Sequence, residues 1–292
     1  TNLVATDQMP DTPTNSFCTL NPLNTGDSGT WNGTLQEGNL RISGTAGIVK
    51  SSSTFALDNV NGSYWEVRWG DQTDANSGIG KIGNANLTTS SQIGADPAYL
   101  ETGYKGSSGV IDTNGSTEAT YSTSADGDIV SLAYKAGRLY VGKVASASAV
   151  PTWFNSGDPA AGTGYINAVV KPDPTEWYAL LGLSHSINFG QDSSFAGEET
   201  AQGNTDANGV GDFYGTVPAG FLALCSDNLS APEIALPGEN FNTVLYTGDG
   251  AVSHAITGVG FQPDMNWVKA RSFIKDHNLV DSVRGAHFRL IP

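Results

Sequence analysis

The side chains best suited to bind a cation form an alternating polar run of the kind found in metal-binding loops. Asn204, Asp206 and Asn208 occupy alternate positions and a glycine follows them, which matches the first half of a calcium-binding loop. Such a loop closes with a bidentate glutamate, but this sequence has Gly215 at that position. A calcium site here needs another carboxylate, for which Asp212 is the nearest candidate. Calcium is the one cofactor that the sequence suggests.

Several catalytic patterns fail because of their surroundings. Gly78, Gly80 and Gly83 satisfy G-x-G-x-x-G, but a dinucleotide site requires a helix inside a βαβ unit at that point, and no helical pattern follows. The segment GLSHS narrowly misses the serine-nucleophile motif, and His185 beside Ser184 falls on the opposite face of a strand. The histidines lack zinc spacing, and the Glu-x-Asp-x-x-Glu signature of laminarinase-type glycosidases is absent. We therefore predict no catalytic residue and a protein that is not an enzyme.

Aromatic side chains in one long loop are the best candidates for a ligand-binding surface. The residues between Ala145 and Lys171 are mostly small or turn-forming, and loops on a rigid scaffold are where binding residues gather. Trp153, Phe154 and Tyr165 lie in this loop, and aromatic rings are suited to stacking on sugar rings. The same three side chains could instead pack beneath the loop, and the sequence favours this role over sugar binding.

The charge of the chain restricts its partners. The 292 residues carry a formal net charge of -15 and a pI of about 4.4, which would repel a phosphate backbone, so nucleic acid is excluded as a partner. Five of the 14 basic residues lie in the last stretch, where Lys269, Arg271 and Arg284 are candidates for docking onto an acidic neighbouring subunit. No apolar run approaches the roughly 18 residues of a membrane-spanning helix, and we expect no membrane insertion.

The two cysteines are too few for a disulfide framework. Cys18 and Cys225 lie far apart in the sequence, and such a pair could join the start of a sandwich to its end. Whether they are bridged or free is left open at this point.

Short β-strand patterns account for most of the chain. Runs rich in β-branched and aromatic residues alternate with Gly, Asn and Ser, and helical periodicity is nearly absent. In SYWEVRW the alternation assigns Trp65, Val67 and Trp69 to the core. It assigns Tyr64, Glu66 and Arg68 to the opposite face of the strand. The segment KAGR predicts a hairpin turn in which Gly137 adopts positive φ. The other strands predicted here are 39–43, 53–57, 118–123, 129–136, 137–144, 176–184 and 186–190.

The strand patterns and the proline positions divide the chain into four parts. These are an extended lead-in at 1–38, an antiparallel β-sandwich at 39–230, a linker at 231–240 and a small β module at 241–292. In the lead-in, Pro10, Pro13 and Pro22 interrupt any regular ladder of hydrogen bonds. The small module has predicted strands within 241–250 and 261–272.

Four segments, in order along the chain, together resemble the SPRY domain. They are YWEVRWG, GIGKIG, GDIVSLAYKAGRLYVGK and INFGQDSSFAG. The resemblance implies a concanavalin-like antiparallel β-sandwich, a jelly roll, that binds partners through its loops and catalyses no reaction. The sequence departs from the pattern where VASASAVP is inserted ahead of Trp153, so a reshaped loop is expected there.

Other segments resemble tail proteins of marine tailed bacteriophages. They are PTNSFCTLNPL, VPAGFLALCSDNL, FQPDMNWVKARS and HNLVDSVRGA. This resemblance implies a virion protein, a tail fibre or tail appendage subunit that is assembled in the cytoplasm of the bacterial host. Homo-oligomers, with trimers favoured, and attachment to a host-surface glycan or protein are expected. Tail modules of this kind continue past the DSVRG phrase, so we expect the small module to extend beyond Pro292.

Two other functions remain as alternatives. One is a tailspike enzyme that degrades host polysaccharide, and the other is a purely architectural subunit that decorates a capsid or builds a filament. The acidic residues are too numerous for any pair of them to be assigned a catalytic role without geometry. Glycan cleavage separates the first alternative from adhesion, and the position of the subunit on the particle separates the second.

Overall fold

The computed structural model divides the chain into two compact units. Thr1–Leu229 is called the body below, and Ser230–Pro292 is called the C-terminal unit. The structure describes residues 11–26, 33–44, 50–58, 60–70, 76–81, 93–95, 100–167, 177–182, 184–229, 236–251, 253–285, 288 and 290. No helix among these residues has the length and apolar character needed to span a membrane.

The described residues form β-strands joined by turns and short 3₁₀ segments. In chain order the strands are β1 (Leu20–Gly26), β2 (Thr34–Gln36), β3 (Arg41–Ser43), β4 (Lys50–Ser53), β5 (Ser63–Arg68), β6 (Asn76–Lys81), β7 (Glu101–Lys105), β8 (Val110–Thr113), β9 (Ser116–Thr120), β10 (Ile129–Lys135), β11 (Arg138–Val144), β12 (Thr152–Trp153), β13 (Ile166–Asn167), β14 (Trp177–Gly182), β15 (Ser186–Asn188), β16 (Leu222–Ala223), β17 (Met265–Val268) and β18 (Asn278–Asp281). The 3₁₀ segments are Phe154–Ser156, Ser226–Asn228 and Pro237–Glu239.

The body is a β-sandwich of two sheets. Within the described residues, the first sheet has the strand order β1-β4-β14-β6-β7-β8-β9. The second has the order β12-β11-β10-β5-β15-β3-β2, with β13 also paired to β11 and β16 paired in parallel to β5. All other pairings in the two sheets are antiparallel. The predicted all-β class and antiparallel sandwich are therefore confirmed.

One apolar core lies between the two sheets. Trp65 and Val67 of the second sheet and Ile79, Tyr104 and Leu181 of the first sheet are buried members of the same cluster. Each such side chain stabilises the fold by roughly 1.5–3 kcal/mol through the apolar area that it removes from water. The core face predicted for SYWEVRW is confirmed, because Trp69 belongs to this cluster as well.

The hairpin between β10 and β11 follows the sequence prediction. Lys135 pairs with Arg138 across the turn, and Gly137 has a φ of 75°. Ala136 also has positive φ, 52°, because a two-residue hairpin turn whose twist matches the strands needs positive φ at both central positions.

The opposite face of β5 is buried too, and the prediction that only one face contacts a core is wrong. Tyr64 and Glu66 are fully buried, and Phe213 packs edge-on against Tyr64 with ring centroids 5.0 Å apart. Phe213, Phe221 and the outer face of the second sheet share a separate apolar cluster. Strand alternation distinguishes the two faces of a sheet, but it cannot reveal that a segment 150 residues away covers the second one.

The sheets also begin earlier in the chain than predicted. β1 pairs with β4, and β2 pairs with β3, so residues 20–26 and 34–36 of the expected lead-in belong to the sandwich. β1 is an edge strand, and its register shifts between Leu20 and Thr25. Pro22 lies within that irregularity, where the missing N–H of a proline is tolerated.

The C-terminal unit contains a two-stranded sheet. Met265 pairs with Asp281 and Val268 with Asn278 in the antiparallel ladder of β17 and β18, which confirms a small β module with a strand inside 261–272. The strand predicted at 241–250 is wrong, because this segment is irregular backbone that no strand of the described residues pairs with. Much of the predicted linker, 231–235, lies outside the described residues.

Both cysteines are buried free thiols. Burial raises the pKa of Cys18 to about 11, against hydrogen bonds from Thr54 and Phe55 that lower it. Cys225 lies beside Phe17 in an isolated β-bridge, so the two ends of the body meet through backbone pairing.

Candidate binding site at the sheet edge

The long loop that carries the predicted aromatic residues lies along the free edge of β11. β12 pairs with Gly142 and Lys143 near one end of β11, and β13 pairs with Arg138 and Leu139 at the other. Residues 154–165, called the edge segment below, therefore run alongside β11 and protect an edge that could otherwise pair with another chain.

Two of the three predicted aromatic residues anchor this segment. Trp153 is only 7% exposed and belongs to the outer apolar cluster. Phe154 packs edge-on against Tyr121, with ring centroids 5.8 Å apart, and the Tyr121 hydroxyl donates a hydrogen bond to the carbonyl of Thr152. Both aromatic side chains are therefore held in packing contacts beneath the loop.

The middle of the edge segment is held in a strained, close-packed conformation. Asn155 and Ser156 have φ values of 55° and 51°, a region that costs an L-residue about 1–2 kcal/mol. Gly157 and Gly164 touch through their backbones, since a Cβ on Gly164 would lie 2.2 Å from the Gly157 Cα. Strain of this kind persists only where the surrounding structure enforces it, so the segment has a defined shape.

Tyr165 is the predicted aromatic residue that reaches the surface, with 36% of its area exposed. The Arg138 guanidinium carbon lies 4.4 Å from its ring centroid, and Tyr140 contacts it edge-on at 6.3 Å. Burial raises the pKa of the Tyr140 phenol, whereas the neighbouring Arg138 lowers it through a hydrogen bond and its charge. Tyr140 in turn packs edge-on against Phe221 at 5.8 Å.

The residues predicted to bind calcium organise a turn. Both carboxylate oxygens of Asp206 accept hydrogen bonds, Oδ1 from the Asn208 and Val210 amides and Oδ2 from the Ala223 amide. The Asn204 side chain donates to the carbonyls of residues 213 and 214. In the described part of the chain, no three His, Cys, Asp or Glu side chains are grouped so as to hold a metal ion.

Asp212 is likewise engaged within the protein. Its Oδ1 accepts hydrogen bonds from the Ser193 hydroxyl and from the Gly203 amide at 2.9 Å. The structure therefore uses the acidic members of the predicted set to fasten the segment that covers the second sheet. Calcium binding stays a prediction, because the described residues of the predicted set are engaged in hydrogen bonds within the protein.

The predicted docking residues lie in the C-terminal unit and are exposed. Lys269 donates to the carbonyl of Lys275, and Arg284 Nε donates to Asp281 Oδ2 at 2.7 Å. Two of the three candidates therefore have partners within their own unit, and Arg271 is the third. Their role in docking stays a prediction.

Two further residues were not singled out by the sequence. Glu66 is a fully buried carboxylate that accepts hydrogen bonds from Tyr64, Asn188 and the amides of Tyr214 and Gly215. Burial raises its pKa to about 7, although these four donors oppose the rise. A glutamate at a position that alternates with core residues gives no sequence signal of burial. For Arg138 the sequence indicates only a position in the hairpin turn.

Comparison with known proteins gives a partial match. A family model described as "Domain of unknown function (DUF7483)" matches residues 236–292, which corresponds to most of the C-terminal unit. No curated protein is matched by the sequence.

Solved structures similar to part of this chain include SPRY domains. The SPRY domain of human HERC1 gives a TM-score of 0.39 at 13% identity, covering 57% of this chain and 96% of that domain. The TRIM65 PSpry domain gives 0.41 at 11%, covering 59% and 88%, and a further human SPRY domain gives 0.37 at 12%, covering 53% and 92%. At these TM-scores and identities the likeness carries no argument about function.

Proposed function

We propose that the protein is a structural and adhesive virion subunit, a phage tail fibre or tail appendage. In this proposal it attaches to a host-surface glycan or protein through the edge segment of the body and assembles with other copies through the C-terminal unit. The observation that carries it is a contrast in burial. The body encloses four apolar clusters of buried side chains, two of them large, whereas no described side chain after Leu229 is buried.

The exposed apolar side chains of the C-terminal unit support assembly. Trp267 is 63% exposed and Ile274 is fully exposed, and an isolated two-stranded sheet is marginally stable in water. Apolar surface on this scale marks a contact with another protein. The other large apolar side chains exposed in the unit are Leu236, Phe241, Leu245, Tyr246, Ile256, Met265, Phe273, Val283, Phe288 and Leu290.

The charge distribution favours other copies of the unit as the covering partner. Residues 230–292 contain six acidic and five basic side chains, whereas residues 1–229 contain 23 acidic and nine basic ones. Copies of the nearly neutral C-terminal unit can approach one another without the repulsion that acidic bodies would experience. A trimer of such units presents three edge segments, so weak individual contacts add up.

The edge segment supports adhesion because its shape is already fixed. A surface that is ordered before binding loses little conformational entropy when a ligand arrives. Its anchors, Trp153 and Phe154, hold the backbone, and the exposed ring of Tyr165 stands at its end.

The test uses the full chain with a fluorescent label. We expect saturable attachment to cells of a susceptible strain within a panel of marine bacteria, and a trimer by light scattering. Replacing Thr152–Gly164 by a Gly-Ser segment of equal length should abolish attachment, while circular dichroism and light scattering report whether the fold and the trimer persist. A monomer that attaches to no strain would overturn the proposal.

A purely architectural role is the second candidate, because the same exposed apolar surface would serve it. Attachment that survives replacement of Thr152–Gly164, together with assembly into filaments or onto capsids, would favour it. Release of reducing ends from capsule or lipopolysaccharide would instead favour a tailspike enzyme.

A further inference from the structure

We infer that Arg138 and Tyr165 form a subsite for an anionic sugar unit, one that carries a carboxylate or a sulfate. The inference rests on the proposed adhesive function and names the chemical class of its ligand. It is carried by a group of five neighbouring side chains, called the basic-aromatic patch, at the turn between β10 and β11 and the end of the edge segment. The patch consists of Lys135, Arg138, Tyr140, Tyr165 and Phe221.

The patch places each of two cations against an aromatic ring. Arg138 stacks on Tyr165 with its guanidinium carbon 4.4 Å from the ring centroid. Lys135 Nζ lies 5.9 Å from the centroid of Phe221 and 3.4 Å from the carbonyl of Gly220. Tyr140 joins the two pairs, since it contacts both Tyr165 and Phe221 edge-on.

These cations lack carboxylate partners. Among the described residues, no Asp or Glu oxygen lies within 4 Å of Arg138 or Lys135, whereas Arg41, Arg68 and Lys143 of the same sheet all form ion pairs. The acidic residue of the edge segment nearest in sequence to the patch is Asp158, whose Oδ1 accepts the amide of Ala160 at 2.9 Å. Burial and, to a smaller extent, the charge of Asp158 raise the pKa of Tyr140 in the patch, but among the described residues neither cation is held in an ion pair. An incoming anion would therefore meet two cations that are not paired with a carboxylate.

The stacked guanidinium remains able to bind an anion. Stacking uses the flat face of the group and leaves its in-plane N–H donors for hydrogen bonds. A guanidinium has five of these donors in a fork that fits carboxylate and sulfate. One donor of Arg138 is engaged by the Tyr140 hydroxyl, and an anion would use others of the fork. Arg138 stands on a paired strand opposite Asn167, so its backbone is fixed before binding. The exposed part of the Tyr165 ring next to it supplies an apolar surface for the sugar ring.

The acidity of the whole chain does not oppose this subsite at physiological salt. The Debye length is about 8 Å at that ionic strength, so carboxylates further away are largely screened. At the patch, the charges of Arg138 and Lys135 stand against that of Asp158, which acts on Tyr140. Long-range repulsion would slow the approach of a polyanion at low salt, and direct contact with Arg138 would hold it.

The experiment measures binding of the full chain to immobilised oligogalacturonate, sulfated carrageenan oligosaccharide and neutral dextran. We expect binding to one or both anionic probes, with the stronger one identifying carboxylate or sulfate as the ligand group, and none to dextran. Arg138→Gln should weaken it at least about tenfold, which is 1.4 kcal/mol, and Arg138→Lys should recover only part because an ammonium lacks the fork. Arg41→Gln removes the same charge on β3, at the opposite side of the same sheet, and should leave binding unchanged.

Equal binding of Arg138→Gln and the unaltered chain, or equal binding to dextran, would overturn the inference. If no probe binds, attachment to bacterial cells decides, because attachment that Arg138→Gln leaves unaffected overturns the subsite while leaving the adhesive function intact. Attachment lost after protease treatment of the cells, but kept after periodate oxidation of their glycans, would assign an acidic protein as the partner and would also overturn the subsite. The thermal unfolding temperature of each variant shows whether the fold persists.

Discussion

The body and the C-terminal unit are built from similar residues but differ in what those residues contact. Trp65 in the body is fully buried and packs between two sheets, whereas Trp267 in the C-terminal unit lies on a two-stranded ladder with 63% of its area exposed. Both residues stand in strands with apolar neighbours at alternate positions. The difference is that β5 has strands on both sides and a layer on each face, while β17 pairs only with β18 among the described residues.

This contrast separates two sources of stability. The body owes its stability to contacts within one chain, because all members of its two large apolar clusters lie between Phe17 and Cys225. The C-terminal unit exposes apolar side chains such as Trp267, so we expect its stability to depend on a partner that covers them. We expect mutations in the body to affect unfolding of the isolated chain. We expect mutations in the C-terminal unit to affect assembly instead.

The largest difference is expected between two tryptophan substitutions. Trp65→Ala should lower the free energy of unfolding of the body by about 4 kcal/mol, because it removes a large side chain and leaves a cavity. Trp267→Ala should change that free energy by less than about 0.5 kcal/mol but should weaken oligomer formation. Chemical denaturation with light scattering measures both. If both substitutions lowered the free energy of unfolding equally, the proposed difference between the body and the C-terminal unit would be wrong.

The buried carboxylate of Glu66 gives the next largest effect, through pH. The pKa of Glu66 is about 7 in the folded protein and near 4.5 when unfolded, so the folded state binds the extra proton between these values. The stability contributed by this group is full below pH 4.5 and is lost as the pH rises through 7, by about 3 kcal/mol in all. Glu66→Gln should remove this part of the pH dependence of unfolding.

The C-terminal unit supplies the matched control for that measurement. Arg284 lowers the pKa of Asp281 in its hairpin, but this carboxylate is in contact with solvent. Asp281→Asn should therefore leave the pH dependence of body unfolding between pH 4.5 and 7 as it was. A Glu66→Gln variant with the same pH profile as the unaltered chain would contradict the assignment.

Two glycines with similar backbone conformations test the rigidity of the edge segment. Gly164 and Gly250 have φ values of 67° and 74°, but only Gly164 lacks room for a Cβ, while Gly250 has nothing within 4 Å. Gly164→Ala should destabilise the body by about 2–3 kcal/mol, because two backbones must separate as well as accept the strain. Gly250→Ala should leave unfolding of the body unchanged. Calorimetry distinguishes the two, and an unaffected Gly164→Ala variant would mean that the segment adapts freely.

Removal of the C-terminal unit should have the smallest effect on the body. The body of a chain ending at Leu229 should have an unfolding temperature within about 1 °C of its value in the full chain. For a domain of this size a change of about 1 kcal/mol in the free energy of unfolding shifts that temperature by about 2–4 °C, and the truncation should change the free energy by less than that. The same truncation should abolish oligomer formation. A drop of more than about 5 °C would mean that the C-terminal unit contributes to the stability of the body.

Much of the fold could be predicted where local pattern and burial agree. The alternation in Ser63–Arg68 identified its core face, and the Lys135–Arg138 turn followed from Gly137, because both signals depend on neighbouring residues alone. The strand predicted at 241–250 failed for lack of a partner strand, since an apolar alternation acquires strand structure only when another strand pairs with it. The sequence does not predict β1, because Pro22 interrupts the strand pattern and β1 is an edge strand with an irregular register.

The candidate site was predicted only in part. Tyr165 was identified from its position in a long loop, and it reaches the surface, but Trp153 and Phe154 pack beneath the same loop. Arg138 carried no signal, because its stacking on Tyr165 joins residues 27 positions apart across the sheet edge. The Asn204–Asn208 pattern indicated a cation loop, whereas the structure uses Asp206 to accept backbone amides.

The sequence by itself determined that this chain is built from short strands and tight turns and that it is acidic. It also determined that the net charge of the C-terminal residues 230–292 is close to zero. Those properties depend on composition and on the two-residue period of a strand, which every local segment carries. The tertiary structure decided which side chains are covered. Burial depends on contacts between distant segments, so only the folded chain buries Glu66, places Arg138 on Tyr165 and leaves Trp267 exposed.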